Sequence, residues 1–163
     1  MKRIISVIVL VIVLLVAFTG CGLTTARPKI KDGEFNFSVT YEFNGEIKTV
    51  SGIYACEFNG IDWALDGGYH RDWSGYIKGD EEEKLLEIGT TDDGGAIRIV
   101  LGFYPEYFMG DSEWKGAPEP YLTVTHFDGD GMSIQNEADI IANMYGVKII
   151  SYEYDEPIEN SYK

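Results

Sequence analysis

From Glu34 to Phe43 apolar and polar residues alternate: Phe35, Phe37, Val39, Tyr41 and Phe43 are separated by Asn36, Ser38, Thr40 and Glu42. Successive side chains of an extended chain point to opposite faces, so this segment predicts a half-buried strand. Asn44-Gly45 follows, and both residues tolerate the positive φ that a tight hairpin turn needs. Folding the chain there pairs Phe43 with Glu46, Val39 with Val50, Phe37 with Gly52 and Phe35 with Tyr54. Val50, Tyr54, Cys56 and Phe58 then share a face with the first strand's aromatics. A slip of one residue would turn every one of them to the opposite face, which specifies the register. A second pair, Asn59-Gly60, is expected to repeat the turn and set Phe58 against Ile61, Cys56 against Trp63 and Tyr54 against Leu65. Together the two turns predict a three-stranded antiparallel meander. Among apolar neighbours Cys56 reads as a small core hydrophobe and not as a reactive thiol.

Further strands are expected at 73–78 and 85–90, separated by the acidic turn GDEEEK, and at 96–104 after TTDDGG. In the last of these Ile97, Ile99, Leu101 and Phe103 share one face, while Ala96 and Val100 keep the other partly apolar, the pattern of a central strand. Residues 121–127 read as another strand. Asn136 is placed to cap a short helix with Asp139 at its third position; Ile140, Ile141 and Met144 form its apolar stripe and Gly146 ends it. Residues 147–154 close the domain as a strand. Many short strands with glycine-rich turns and one short C-terminal helix predict a mainly β antiparallel sandwich, with a closed β-barrel as the alternative. The expected organisation is one β-rich domain over 34–156 with a polar tail over 157–163.

The N-terminus has a different pattern. Behind Lys2 and Arg3, the fifteen residues from Ile4 to Phe18 are apolar except for Ser6. As a helix they would rise about 22 Å, short of a hydrocarbon core of roughly 30 Å. The run stops at Phe18-Thr19-Gly20-Cys21. These residues resemble the lipobox of bacterial lipoprotein precursors, with Phe18 standing where Leu or Val is usual. The resemblance implies that residues 1–20 are a signal peptide, that Gly20 fits the signal peptidase, and that Cys21 carries a diacylglyceryl group as the first mature residue. Two acyl chains hold a protein on a membrane stably, whereas one does so only marginally. Residues 21–33 would then be the lipidated cysteine and a tether. Its Arg27, Lys29 and Lys31 would lie near anionic headgroups, on the extracytoplasmic side of the cell membrane.

Without the leader the 13 basic residues lose Lys2 and Arg3, leaving 11 against 27 acidic ones, a net charge of −16. That balance repels phosphate backbones and excludes nucleic acid as a partner class. Only Cys56 remains beside the modified cysteine, so no disulfide can form within the chain. The stretch YEFNGEIKTVSGIYACEFNGIDWALDGGYHRDWSGYIKGD is similar to small uncharacterised lipoproteins of Gram-positive gut bacteria; this implies export, anchoring and a compact domain, and assigns no activity.

Candidate chemistry is sparse. His70-Arg71-Asp72 matches the kinase catalytic-loop triplet, yet Ile77 stands where that loop needs Asn, and the charges are expected to pair locally at the surface. The Asp128–Gly131 run is followed by Met132, Ser133 and Asp139 where a calcium loop needs an oxygen ligand, a glycine and a bidentate Glu, which leaves only a looser grouping of His126, Asp128 and Asp130. No nucleophile elbow or zinc-protease helix occurs. The long segment Pro105–Pro120 carries Tyr107, Phe108 and Trp114, the aromatics that a loop would present to a glycan, peptide or protein ligand; the alternative is that these rings fold back onto the sandwich. No catalytic residue, metal ligand or cofactor is assigned. The expected function is a membrane-anchored, non-catalytic binding or interaction module. Alternatives are a cell-envelope enzyme acting on glycans through paired carboxylates, or a small-molecule carrier should the strands close into a barrel.

Overall fold

Asn44 and Gly45 turn the chain with φ of 54° and 79°, and the strands on either side pair in the register the sequence specifies. In this computed structural model, which describes residues 25–63, 68–79, 85–111, 117–128 and 131–162, β1 (Asp32–Phe43) runs antiparallel to β2 (Glu46–Trp63). Phe43 faces Glu46, Val39 faces Val50, Phe37 faces Gly52 and Phe35 faces Tyr54. Cys56 is fully buried, as its neighbours require.

The second Asn-Gly pair behaves differently. β2 continues through Asn59-Gly60 to Trp63 and pairs with β3 (Tyr69–Ile77), so that Phe58 faces Trp73, Cys56 faces Gly75 and Tyr54 faces Ile77. The ladder shifts register between Phe58 and Gly60, and Gly60 takes a φ of 151°. The dipeptide is a bulge and not a turn. Packing decides the matter, because β3 brings Trp73 and Ile77 into the core. The expected pairings of Ile61 and Trp63 with Phe58 and Cys56 are replaced; Leu65 lies outside the described residues. The meander survives with a different third strand.

β4 (Leu85–Thr90), β5 (Ala96–Val100), β6 (Tyr121–Asp128) and β7 (Gly131–Gln135) form a second antiparallel sheet in that order. β8 (Val147–Tyr154) returns to the free side of β1, giving the first sheet the order β3-β2-β1-β8. The sheets remain separate, and the fold is a mainly β sandwich. Its interior holds Phe35, Phe37, Val39 and Tyr54 from one sheet and Ile97, Ile99, Leu122 and Val124 from the other, all buried. The barrel alternative gives way to two sheets around a packed core. Each large apolar side chain so buried contributes about 1.5–3 kcal/mol.

The ladder of β5 ends at Val100, earlier than expected, although Leu101 and Phe103 still point into the core. Two elements escape the sequence pattern: the short β7 and the one-turn helix α1 (Pro105–Phe108). The C-terminal helix α2 (Ala138–Tyr145) starts from Glu137 without a side-chain cap, so Asn136 does not play the expected part. Gly146 ends it in the left-handed conformation, as expected. Of its stripe only Ile141 is buried; Ile140 and Met144 are exposed.

The ordered domain is also wider than residues 34–156. Lys29 N–H donates to the Ser161 carbonyl at 2.9 Å, and the Asn160 side chain both accepts from and donates to the backbone of Ile30. Ile158 N–H donates to the Phe108 carbonyl. Part of the expected tether and the expected polar tail thus form two straps that satisfy each other's backbone groups.

Burial affects three tyrosines. The Tyr54 hydroxyl donates to the Phe103 carbonyl at 3.4 Å, and burial raises its pKa far above the usual phenol value. Burial also pushes Tyr154 and Tyr162 up to about 12. An unfolded tyrosine titrates near about pH 10. The folded state holds these protons more tightly, so its stability is fully present below that pH and declines as the pH rises through 10 toward 12. Urea unfolding at a series of alkaline pH values should show this fall, reduced in Tyr54→Phe; a flat profile would contradict the burial.

Candidate binding site

Pro105 occupies the first position of α1, where its missing N–H costs nothing, and the helix turns Phe108 inward. Phe108 is fully buried. Its ring lies 4.8 Å from Phe35, 5.1 Å from Phe103, 5.5 Å from Tyr54 and 5.6 Å from Tyr154, centroid to centroid. It has no face left for a ligand and is a core residue. Tyr107 is half-buried, edge-on to both Phe108 and Tyr154. Trp114 and Cys21 lie outside the described residues. The loop's two described aromatics therefore cover the end of the sandwich.

Beyond α1 the loop delivers Asp111 to β3. The Arg71 guanidinium donates through Nε to both Asp111 carboxylate oxygens at 2.7 Å, and through Nη1 to the Ala26 carbonyl at 3.0 Å. Trp73 Nε1–H adds a third hydrogen bond to the Asp111 carboxylate at 2.7 Å. The guanidinium lies 4.1 Å over the Tyr162 ring, whose hydroxyl donates to the Met109 carbonyl. Asp111's side chain is only 5% exposed, and its carboxylate holds the Arg71 pKa above the usual value. The expected local pairing within His70-Arg71-Asp72 is corrected: Arg71 finds its partner 40 residues away. The cluster closes on itself and works as a latch joining β3, the loop and both straps.

His126 is bracketed between the β4–β5 turn and α2. Its Nδ1 is 3.3 Å from Asp93 and its Nε2 is 3.1 Å from the Tyr145 hydroxyl. A hydrogen bond from Thr91, aided by His126, keeps Asp93 below the usual carboxylate range. The expected grouping of His126 with Asp128 and Asp130 falls on the side chain of Asp128 and on Asp130, which lie outside the described residues. A cavity of about 210 Å³ opens beside this bracket between Phe43, Asn44, Thr91 and Tyr145.

A larger opening, a cleft of about 410 Å³, lies on the outer face of the first sheet. Its floor is Ala55, small enough to leave a hollow between Glu34 on β1 and Tyr76 on β3, which flank it in the ladders. Asp32 stands directly opposite Glu57 across the β1–β2 ladder. Glu57 accepts the Tyr76 hydroxyl at 2.8 Å, and Glu34 pairs with Lys78 at 2.6 Å. Lys31 lines the rim. Like charges directly opposed on neighbouring strands destabilise a sheet. Sequence reasoning passed over this pair, yet the signal was available: the Asn44-Gly45 register, extended back along β1, sets residue 32 against residue 57.

Among the described residues no group of three or more His, Cys, Asp or Glu side chains could hold a metal ion, and no helix is long and apolar enough to cross a membrane. No protein-family model, curated protein or solved structure matches this chain.

Proposed function

We propose that this chain is an extracytoplasmic lipoprotein, anchored through acyl chains on Cys21, that acts by binding ligands bearing an ammonium or guanidinium group in the cleft of the first sheet. The observation that carries the reading is the opposed pair Asp32 and Glu57 in the lining of a hollow of about 410 Å³. A cation seated between the two carboxylates relieves their repulsion, and the mature chain's net acidity draws such ligands toward the surface. The anchor rests on the leader that ends at Phe18-Thr19-Gly20-Cys21.

Titration of the acylated protein in neutral detergent with tetralysine tests the cleft. Binding should saturate and weaken with added salt. Asp32→Asn should raise Kd about tenfold, equivalent to about 1.4 kcal/mol, while stabilising the free protein by about 0.2–1 kcal/mol through removal of the repulsion. Opposite signs in the two measurements separate a ligand group from a merely structural one. An unchanged Kd would reject the cleft. The anchor has its own readout, because Cys21→Ala should abolish metabolic labelling with palmitate.

A further inference from the structure

The first described residues follow the β2–β3 ribbon toward its far end. Phe58 N–H donates to the Lys31 carbonyl. Arg71, which faces Ile61, reaches the Ala26 carbonyl, and the Thr25 hydroxyl donates at 2.8 Å to the carbonyl of Tyr69, which faces Trp63. Moving from residue 31 to residue 25, the chain therefore passes from Phe58 to the last pair of the hairpin ladder. Cys21 is four residues further on, a span of at most about 14 Å.

That last pair is Trp63 and Tyr69, with 55% and 48% of their surfaces exposed. Side-chain parity puts both on the side of the ribbon that carries Trp73 and Ile77 into the core. They continue the core-facing side past the reach of the sandwich. Two large aromatics exposed side by side cost hydration unless something covers them. Arg27 and Lys29, both exposed, lie on the adjoining segment.

We propose that Trp63 and Tyr69, the last described pair of the β2–β3 ladder, seat in the headgroup layer of the bilayer as interfacial anchors. The inference rests on the Cys21 anchor proposed above and adds the orientation of the domain. Trp and Tyr favour the interface because an apolar ring and a polar N–H or O–H meet their two environments there. Arg27 and Lys29 add attraction to anionic headgroups, and the acidic remainder of the domain is repelled from the same surface. The hairpin is thereby held toward the lipid.

The test uses the acylated protein reconstituted into vesicles of phosphatidylcholine with a minor share of phosphatidylglycerol, with plain or brominated acyl chains. Intact mass is measured first. A protein without the diacyl adduct removes the anchor and this orientation together. With the adduct present, brominated lipid should quench roughly a third of the emission, one tryptophan of the three in the chain. Trp63→Phe should abolish most of that quenching, and moving the probe with Trp63→Phe and Tyr69→Trp together should restore it. Acylated protein quenched equally with and without Trp63 overturns the seating while leaving the anchor intact. An unfolding midpoint matching that of the unmutated protein verifies that each variant is folded.

Discussion

Phe108→Ala should lower the unfolding free energy by about 3–5 kcal/mol, the range for a large aromatic removed from a packed core. The ring has no exposed surface and sits among Phe35, Tyr54, Phe103 and Tyr154. Its removal deletes apolar burial and leaves a void that β1 and β2 cannot collapse into without breaking their ladder. Because α1 also carries the carbonyl that receives Ile158 N–H, the C-terminal strap should loosen at the same time. Urea denaturation with linear extrapolation measures the loss. A cost below about 1 kcal/mol would mean that the ring is not core material and would return Phe108 to the ligand-contact role its sequence context offers.

Asp111→Ala should cost about 3 kcal/mol. Removing one member of a buried pair strands the other, here a guanidinium whose side chain is 22% exposed, so water softens the penalty from the upper part of the usual range. Trp73 Nε1–H loses its acceptor as well. The double replacement Arg71→Met with Asp111→Leu should be less destabilised than Asp111→Ala, because no uncompensated charge remains. A local readout accompanies the global one. With Arg71 released from its position, the bond to the Ala26 carbonyl weakens, and trypsin should cut faster at the nearby Lys29-Ile30 bond. Unchanged proteolysis together with unchanged stability would show that the latch holds nothing.

The two variants act at opposite ends of one short segment, since α1 and Asp111 are separated only by Met109 and Gly110. Gly110 has a φ of 64°, and a Cβ there would collide with the Ile158 carbonyl. Glycine at this position lets the loop turn from the ring cluster to the latch while the strap passes over it. The aromatic loop thus has a physical explanation within the fold, and the proposed ligand face is the outer side of the first sheet.

Much of the architecture was legible in the chain because it rests on local rules. Period-two alternation placed β1, and Asn44-Gly45 set its register with β2 down to the Asp32–Glu57 pair. The shared face of Ile97, Ile99, Leu101 and Phe103 is the inner face of the second sheet. Gly146 marks the end of α2. Pro105 followed by Gly110 was a start-and-stop signal for α1, obscured because one helical turn is too short to show an apolar period.

What the sequence determined by itself is every feature whose partners are near neighbours: alternation, one tight turn, the greasy leader and its small-Cys end. Tertiary structure alone decided which of two identical dipeptides turns the chain. Asn59-Gly60 stays within a strand because pairing with residues 69–77 buries Trp73 and Ile77, a gain that depends on residues outside the dipeptide. It likewise decided that Arg71 meets Asp111 and that the two ends of the domain strap together. The physical reason is common to all three: a charge, a ring or a backbone N–H selects its partner by proximity in the packed state, and sequence separation carries no information about that distance.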